Sequence, residues 1–352
     1  MGGNTRPATA FETTLRPGQV IGGNYRINYL LGEGGMATVW AGTNERTGKR
    51  IALKFIRHNL VDIPGAEAFL HSEGVNASRI NHPNVVTAFD VIEHEGLACI
   101  VMELLDGEPF GSYLARNGAL NLREVVGLLL PAMRGVAAAH AQGVIHRDLK
   151  PQNIFICVGP DQRVVTSKVL DFGISVMMDW AREQSAEPLQ GVVGTPAYMS
   201  PEHIEGTAAI DERADVYGFG VLLYEALAGR PPFSGKSGAE LLRKVLTEPA
   251  PSLAELRPDL PPSVVRIIET AMAKRPEDRY ANLNAMVSAL EDETMPPTPP
   301  PPTPAGGVPV ATPAGGVPMS ARIGLPVTTP NWFFPASFEY SSVIHAITCG
   351  LV

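Results

Sequence analysis

The 352-residue chain predicts an α+β fold of two lobes. Three observations carry that expectation. Between residues 25 and 103, short β-branched and aromatic runs alternate with Gly and Asn turns. From 104 to 291, apolar residues recur at three- and four-residue spacing. From Pro296 onward, the hydrophobic pattern gives way to proline-rich text. Apolar residues at 45% and charged residues at 18% can bury a core without disulfides or a structural metal, which excludes a wholly disordered chain. The net charge of −8 argues against nucleic-acid or anionic-membrane binding driven by bulk charge. Cys99, Cys157 and Cys349 lie far apart with no CxxC pair, so neither a disulfide framework nor a zinc site is expected.

Residues 1–24 read as an N-terminal arm without the apolar run of a secretory signal. Its opening MGGNTR places Arg6 where a myristoylation pattern needs Ser or Thr. YRINYLLGEGG, MATVWAGT and RIALKFI then predict three strands. AEAFLHSEGVNASRI predicts a helix that ends at Asn81 and His82, ahead of Pro83. VVTAFDVIEH and LACIVMELL predict two further strands. LREVVGLLLPAMRGVAAAHAQG, ADVYGFGVLLYEALAG, AELLRKVLTE, SVVRIIETAMA and ANLNAMVSALED predict helices. Residues 292–352 form a Pro/Gly-rich tail: 13 prolines fall between 296 and 335, and TPAGGVP occurs at Thr303 and again at Thr312. Such text is expected to be a disordered linker, partly polyproline II.

Leu31 to Val39 reads LGEGGMATV, with Gly32, Gly34 and Gly35 followed at once by the strand text Thr38-Val39-Trp40. A dinucleotide fingerprint would need a helix there, so the glycines join two strands. The loop is either an ordinary glycine hairpin or a lid whose bare backbone approaches phosphate oxygens. Lys54 stands alone in the apolar run Ile51–Lys54. A surface-edge lysine is the usual case; a buried one needs a partner, and Glu73 in the first predicted helix is the natural choice.

The decisive text is His146-Arg147-Asp148-Leu149-Lys150-Pro151-Gln152-Asn153, followed by Asp171-Phe172-Gly173. HRDLKPxN and DFG in this order, after a glycine hairpin and an AxK strand, resemble the protein-kinase signature set. Over about residues 25–291 the chain is similar to the eukaryotic-like serine/threonine protein kinases of bacteria. GTPAYMSPE from Gly194 to Glu202, RADVYGFG with Asp215, and RPEDRY with Arg279 fit the same family.

The resemblance implies a bilobal protein-kinase fold, with a β-rich N-lobe over about 25–103 and a helical C-lobe over about 104–291. It implies ATP as phosphate donor with Mg2+ or Mn2+, and Ser/Thr-bearing proteins, the chain itself included, as substrates. Asp148 is then the catalytic base and Lys150 neutralises the γ-phosphate. Lys54, held by Glu73, clamps the α- and β-phosphates, and Asn153 and Asp171 hold the metal. Leu31, Gly32, Gly34, Gly35, Val39, Ala52, Met102, Glu103, Leu105 and Phe155 surround the nucleotide, with adenine against the backbone of Glu103 and Leu105 and Met102 as gatekeeper. His146, Asp215 and the Glu202–Arg279 pair read as structural groups, and Met177-Met178 as lobe packing. The interval from Asn153 to Asp171 is longer than the family usually shows, which predicts an extended hairpin around VGPDQRVV.

In the activation segment that the resemblance implies, from Asp171 to Glu202, two readings stay open: Ser185 is a phosphorylated switch, or Glu183 and Glu187 order the segment without modification. The alternative to an active enzyme is a nucleotide-binding, pseudokinase-like scaffold; the presence of all five of Lys54, Glu73, Asp148, Asn153 and Asp171 favours the enzyme. SSVIHAITCGLV is too short to span a bilayer, so a cytoplasmic protein without nucleic-acid or membrane partners is expected, with PPTPPPPTP as a stretch that could dock partners.

Overall fold

The computed structural model describes residues 15–34, 37–56, 80–172, 196–206 and 210–294. Strands β1 (Val20–Ile21), β2 (Tyr25–Glu33), β3 (Ala37–Asn44), β4 (Arg50–Ile56), β5 (Ala88–His94) and β6 (Leu97–Glu103) form one antiparallel sheet in the order β1-β2-β3-β4-β6-β5. Side-chain alternation divides its faces. Ile27, Ile51, Leu53, Phe55, Cys99 and Val101 pack on one side with Ile21 and Tyr25. Ala52, Lys54 and Ile56 alternate with the core residues of β4 and therefore leave the opposite side.

The sheet begins earlier than the expected boundary at residue 25. Val20 and Ile21 pair with Arg26 and Tyr25, and Ile21 is fully buried, so part of the N-terminal arm belongs to the folded unit. A two-residue strand carries no periodicity to read. A second difference concerns VVTAFDVIEH. Its first two valines leave the sheet and join the other lobe: Val86 N donates to Val169 O at 2.9 Å, and Val169 N donates to Asn84 O at 2.8 Å. A β-branched run predicts extended chain, but nothing in it says which sheet supplies the partner.

The second sheet, of strands β7 (Gly107–Pro109), β8 (Ile154–Val158) and β9 (Val164–Val169), is antiparallel and small. Its β8–β9 hairpin carries the expected extension, with Pro160–Arg163 exposed. The helices are α1 (Phe110–Asn117), α2 (Leu122–His140), α3 (Pro201–Glu205), α4 (Arg213–Ala228), α5 (Gly238–Thr247), α6 (Leu253–Leu256), α7 (Pro262–Ala271) and α8 (Leu283–Thr294). The side chain of Asn121 starts α2 by accepting from Glu124 N at 3.0 Å. Helix α4 is apolar on all sides, and every residue from Ala214 to Tyr224 is buried, which makes it the central member of the helical core. Its Gly218 lets Leu149 approach: a Cβ there would meet the Leu149 Cβ at 3.0 Å. Among the described residues no helix is long and apolar enough to cross a membrane.

Two features order the small sheet and the helices. Gly107, with φ of 142°, begins β7 so close to β8 that a Cβ would lie 1.9 Å from Ile156 O. Arg279, whose side chain is completely buried, places all five donor hydrogens. Its Nη1 and Nη2 each donate to Glu202 at 2.7 Å, and the rest reach Ala273 O, Arg213 O and Lys274 O. One guanidinium thus ties α3 to the start of α4 and to the turn after α7. Burial alone would raise the Glu202 carboxyl, but the bonded Arg279 carries it below its ordinary value.

Gly107→Ala is expected to lower unfolding stability by about 2–4 kcal/mol, from backbone strain plus the clash with Ile156 O, read as a shifted denaturant midpoint. Glu202→Ala strands the buried Arg279 charge and is expected to cost about 3–5 kcal/mol at pH 7. Because the folded Glu202 titrates below an unfolded value of about 4.3, its contribution is complete above about pH 5 and disappears as pH falls through the folded value. Acid unfolding curves of the wild type should therefore converge on those of Glu202→Ala at low pH.

Candidate functional site

The register of the first sheet brings together residues far apart in sequence. Val39 on β3 pairs with Gly32 on β2 and with Lys54 on β4; Ala52 on β4 pairs with Met102 on β6. The expected glycine hairpin joins two antiparallel strands, and Gly34 N donates to Ala37 O at 2.9 Å across its mouth. Leu31, Gly32, Gly34, Val39, Met102, Leu105 and Phe155 are half-buried, whereas Ala52, Lys54 and Asn153 are buried. Gly35, Glu73, Gly173, Met177, Met178, Glu183, Ser185, Glu187, Gly194 and Thr195 lie outside the described residues, so the expected Lys54–Glu73 pairing does too.

Lys54 leaves the sheet toward the helical part and meets Asp171, Nζ to Oδ1 at 2.6 Å. Burial would raise the Asp171 carboxyl, but the attraction and hydrogen bond of Lys54, helped by Lys150, hold it below the usual carboxylate range. Asp171 is therefore an anion throughout the neutral range. Its φ of 62° is left-handed, as is that of Arg147 at 65°, so two non-glycine residues beside the charged cluster hold strained backbone.

A second group of side chains converges on Asp148. Lys150 Nζ lies 2.8 Å from its Oδ2; Asn153 Nδ2 donates to its main-chain O at 2.7 Å and to Oδ2 at 3.1 Å. The two groups are stitched together through backbone: Leu170 N, just ahead of Asp171, donates to Asn153 O at 2.8 Å, and Leu170 O accepts from His146 Nε2 at 2.8 Å. The carbonyl can only accept, and Asp148 N can only donate to Nδ1, at 3.2 Å. Those two partners fix the Nε2–H tautomer of His146. Fully buried, with its ring edge-on to Phe172 at 4.8 Å, His146 is the packed core residue expected of it.

The loop carrying Asp148 hangs from Asp215, which stands in the first turn of α4 with 1% of its side chain exposed. Asp215 accepts from His146 N at 2.8 Å, Arg147 N at 2.9 Å and His140 Nε2 at 2.7 Å. Burial would raise the Asp215 carboxyl, but the hydrogen bonds from His140 and from the backbone of His146 carry it below its ordinary value. At the other end of the site the chain between the sheets is anchored twice. Glu103 N donates to Thr87 O at 3.0 Å, and Val158 N donates to Asp106 O at 2.9 Å. Leu104 and Leu105 lie between those anchors.

These features meet in one family. The protein-kinase-domain model matches residues 25–290. The chain belongs to the protein kinase family. It is 37% identical over 284 residues to the serine/threonine-protein kinase pkn3 of Myxococcus xanthus, covering 80% of this chain and 52% of that protein. It is 36% identical over 280 residues to the serine/threonine-protein kinase PknA of Mycobacterium tuberculosis, covering 78% and 62%. The chain thus spans between half and two thirds of the length of these relatives. Among solved structures, the Mycobacterium tuberculosis PknI kinase domain superposes with a TM-score of 0.62 at 24% identity, over 79% of this chain and 99% of that one, a likeness of fold.

Sequence reasoning passed over three residues of this kinase site. His140 precedes the HRD text by six residues and bonds Asp215; Asn84 donates to Thr166 Oγ1 and Ser167 O; Lys168 reaches Glu103. Each looks like an ordinary polar residue in a single sequence, because its partner is 65 or more positions away.

Asp215→Ala removes the acceptor of the buried His146 N–H and of the partly buried Arg147 N–H. The expected loss is about 3 kcal/mol or more of stability. Hydrogen exchange resolved to single amides should show His146 and Arg147 losing protection first; unchanged protection there would contradict the anchor.

Proposed function

We propose that this kinase domain transfers the γ-phosphate of ATP to Ser or Thr hydroxyls of proteins, itself among them. The observation that carries the reading is the convergence of two charged groups: Lys54 bonded to Asp171, and Asp148 bonded to Lys150 and Asn153. The donor chemistry suits a hard divalent cation. Asp171 is anionic, and with the Asn153 amide nitrogen engaged by Asp148 its amide oxygen is the atom left for a metal. A Mg2+ or Mn2+ ion held by Asp171 and Asn153 would draw negative charge from the phosphate oxygens when bound.

The chain's own residues supply the rest. Asp148 orients the substrate hydroxyl and takes its proton as the oxygen bonds to the γ-phosphorus and the bond to the β-phosphate oxygen breaks, releasing ADP. Lys150, already beside Asp148, offsets charge on the transferring group, and Lys54 holds the α- and β-phosphates, with Glu73 as its second partner. Adenine would lie between Val39, Ala52 and Phe155 with Met102 as gatekeeper, bonded to the backbone of Glu103 and Leu105. Leu31, Gly32, Gly34 and Gly35 would cover the phosphates. Lys150, two residues after Asp148, and Thr195 ahead of SPE favour serine/threonine over tyrosine acceptors. We take the kinase domain as residues 25–291, with β1 packed ahead of it and the end of α8 running on to Thr294, working in signal transduction in the cytoplasm, where ATP is available, with the tail's PPTPPPPTP stretch as a docking element for partners.

Purified protein with radiolabelled ATP and a generic substrate such as myelin basic protein tests the reading. Asp148→Asn and Lys54→Met are expected to lower transfer at least about a hundredfold. Equal counts from all three proteins would defeat it.

A further inference from the structure

The pair formed by Lys168 and Glu103 is not part of the phosphate-handling group. Lys168 lies on β9, three residues ahead of Asp171, while Glu103 ends β6 where the first sheet runs into the connection between lobes. Lys168 Nζ donates to Glu103 Oε1 at 2.6 Å, and Thr87 N donates to the same oxygen at 2.7 Å. One carboxylate oxygen therefore binds the end of β6 to the segment before β5 and to the strand that carries Asp171. Side-chain exposures of 16% and 21% shield this pair from solvent far more than Arg50–Asp106, a 3.5 Å contact in which both side chains are over 60% exposed. Exposed pairs of that second kind contribute little. Lys168 also pairs in register with Phe155 on β8, so the strand residue opposite Phe155 is the one that grips the connection.

We propose that Lys168 is a positioning residue for the nucleotide. Acting through Glu103, it holds the backbone of residues 103–105 in register with Phe155, and so sets the affinity for the adenine end of ATP rather than the rate of phosphate transfer. The inference rests on the kinase reading. Its physical basis is preorganisation: backbone groups already held in place lose less freedom when a ligand bonds to them. Without the lysine, Glu103 keeps the Thr87 N–H and loses its charged partner, and the connection is no longer tied to β9.

The test compares wild type with Lys168→Met, Lys168→Arg and the exchanged pair Glu103→Lys/Lys168→Glu. Calorimetric titrations use adenosine and, separately, AMP-PNP with MgCl2; steady-state transfer gives KM and kcat. Lys168→Met is expected to weaken adenosine and AMP-PNP alike, about fivefold, and to raise KM for ATP by the same factor with kcat within about twofold. Lys168→Arg should recover most of the affinity, and the exchanged pair, which restores the ion pair but leaves Thr87 N without its acceptor, only part of it. Should Lys168→Met fail to fold, Lys168→Gln serves for the same comparison. Unchanged affinity would overturn the proposal. So would a loss confined to AMP-PNP, which would make Lys168 a phosphate-side charge, or a fall in kcat at constant KM. A wild type that binds AMP-PNP and transfers no phosphate would sink the transferase reading while leaving the affinity comparison to decide the role of Lys168.

Discussion

The site depends on one buried carboxylate. Asp215, in the first turn of a helix apolar on every side, gathers the N–H groups of His146 and Arg147 and the ring of His140. Those bonds hold Arg147 in left-handed backbone, and the turn that results delivers Asp148 to Lys150 and Asn153. A carboxylate this deep is tolerated because each oxygen has donors and a histidine stands beside it. The apolar helix around it supplies rigidity, and Leu149, seated on Gly218, presses the loop onto that helix.

The opposite half of the site is built on a different principle. In the first sheet, strand alternation sends Lys54 out of the face away from Ile51, Leu53 and Phe55. A lysine embedded in such a strand needs an anion, and it finds one in Asp171, across from the sheet. The charge that keeps Asp171 ionised is thus contributed by the first sheet, so the electrostatics of Asp171 depend on how that sheet meets the helical part.

Much of this could be read from residues alone, for identifiable reasons. Lys54 was conspicuous as a charge in an apolar strand, and Asp148, Asn153 and Asp171 stood in compact motifs whose spacing is short and local. Helices α2, α4, α7 and α8 follow from apolar spacing, because burial of one face or all faces leaves a repeat in the text. Hidden features were those in which the partner is remote. Lys168 and Glu103 are separated by 65 residues, and a lysine on a strand has no mark that tells a grip on the interlobe connection from a solvent contact. Val85 and Val86 lie ahead of the strand that the text VVTAFDVIEH predicts, because β5 starts only at Ala88 and Val85 forms a single bridge to Val169, a partner set by tertiary packing. Ile21 was missed because two residues cannot show a period.

In the proposed transfer the Asp148 cluster and the Lys54–Asp171 pair act together on the γ-phosphate of ATP and on a protein hydroxyl. Phosphoamino-acid analysis of the protein after incubation with radiolabelled ATP and Mg2+ tests that most directly. The expected result is label on phosphoserine or phosphothreonine that is lost with Asp148→Asn. Label on phosphotyrosine alone, or label retained in Asp148→Asn, would contradict it.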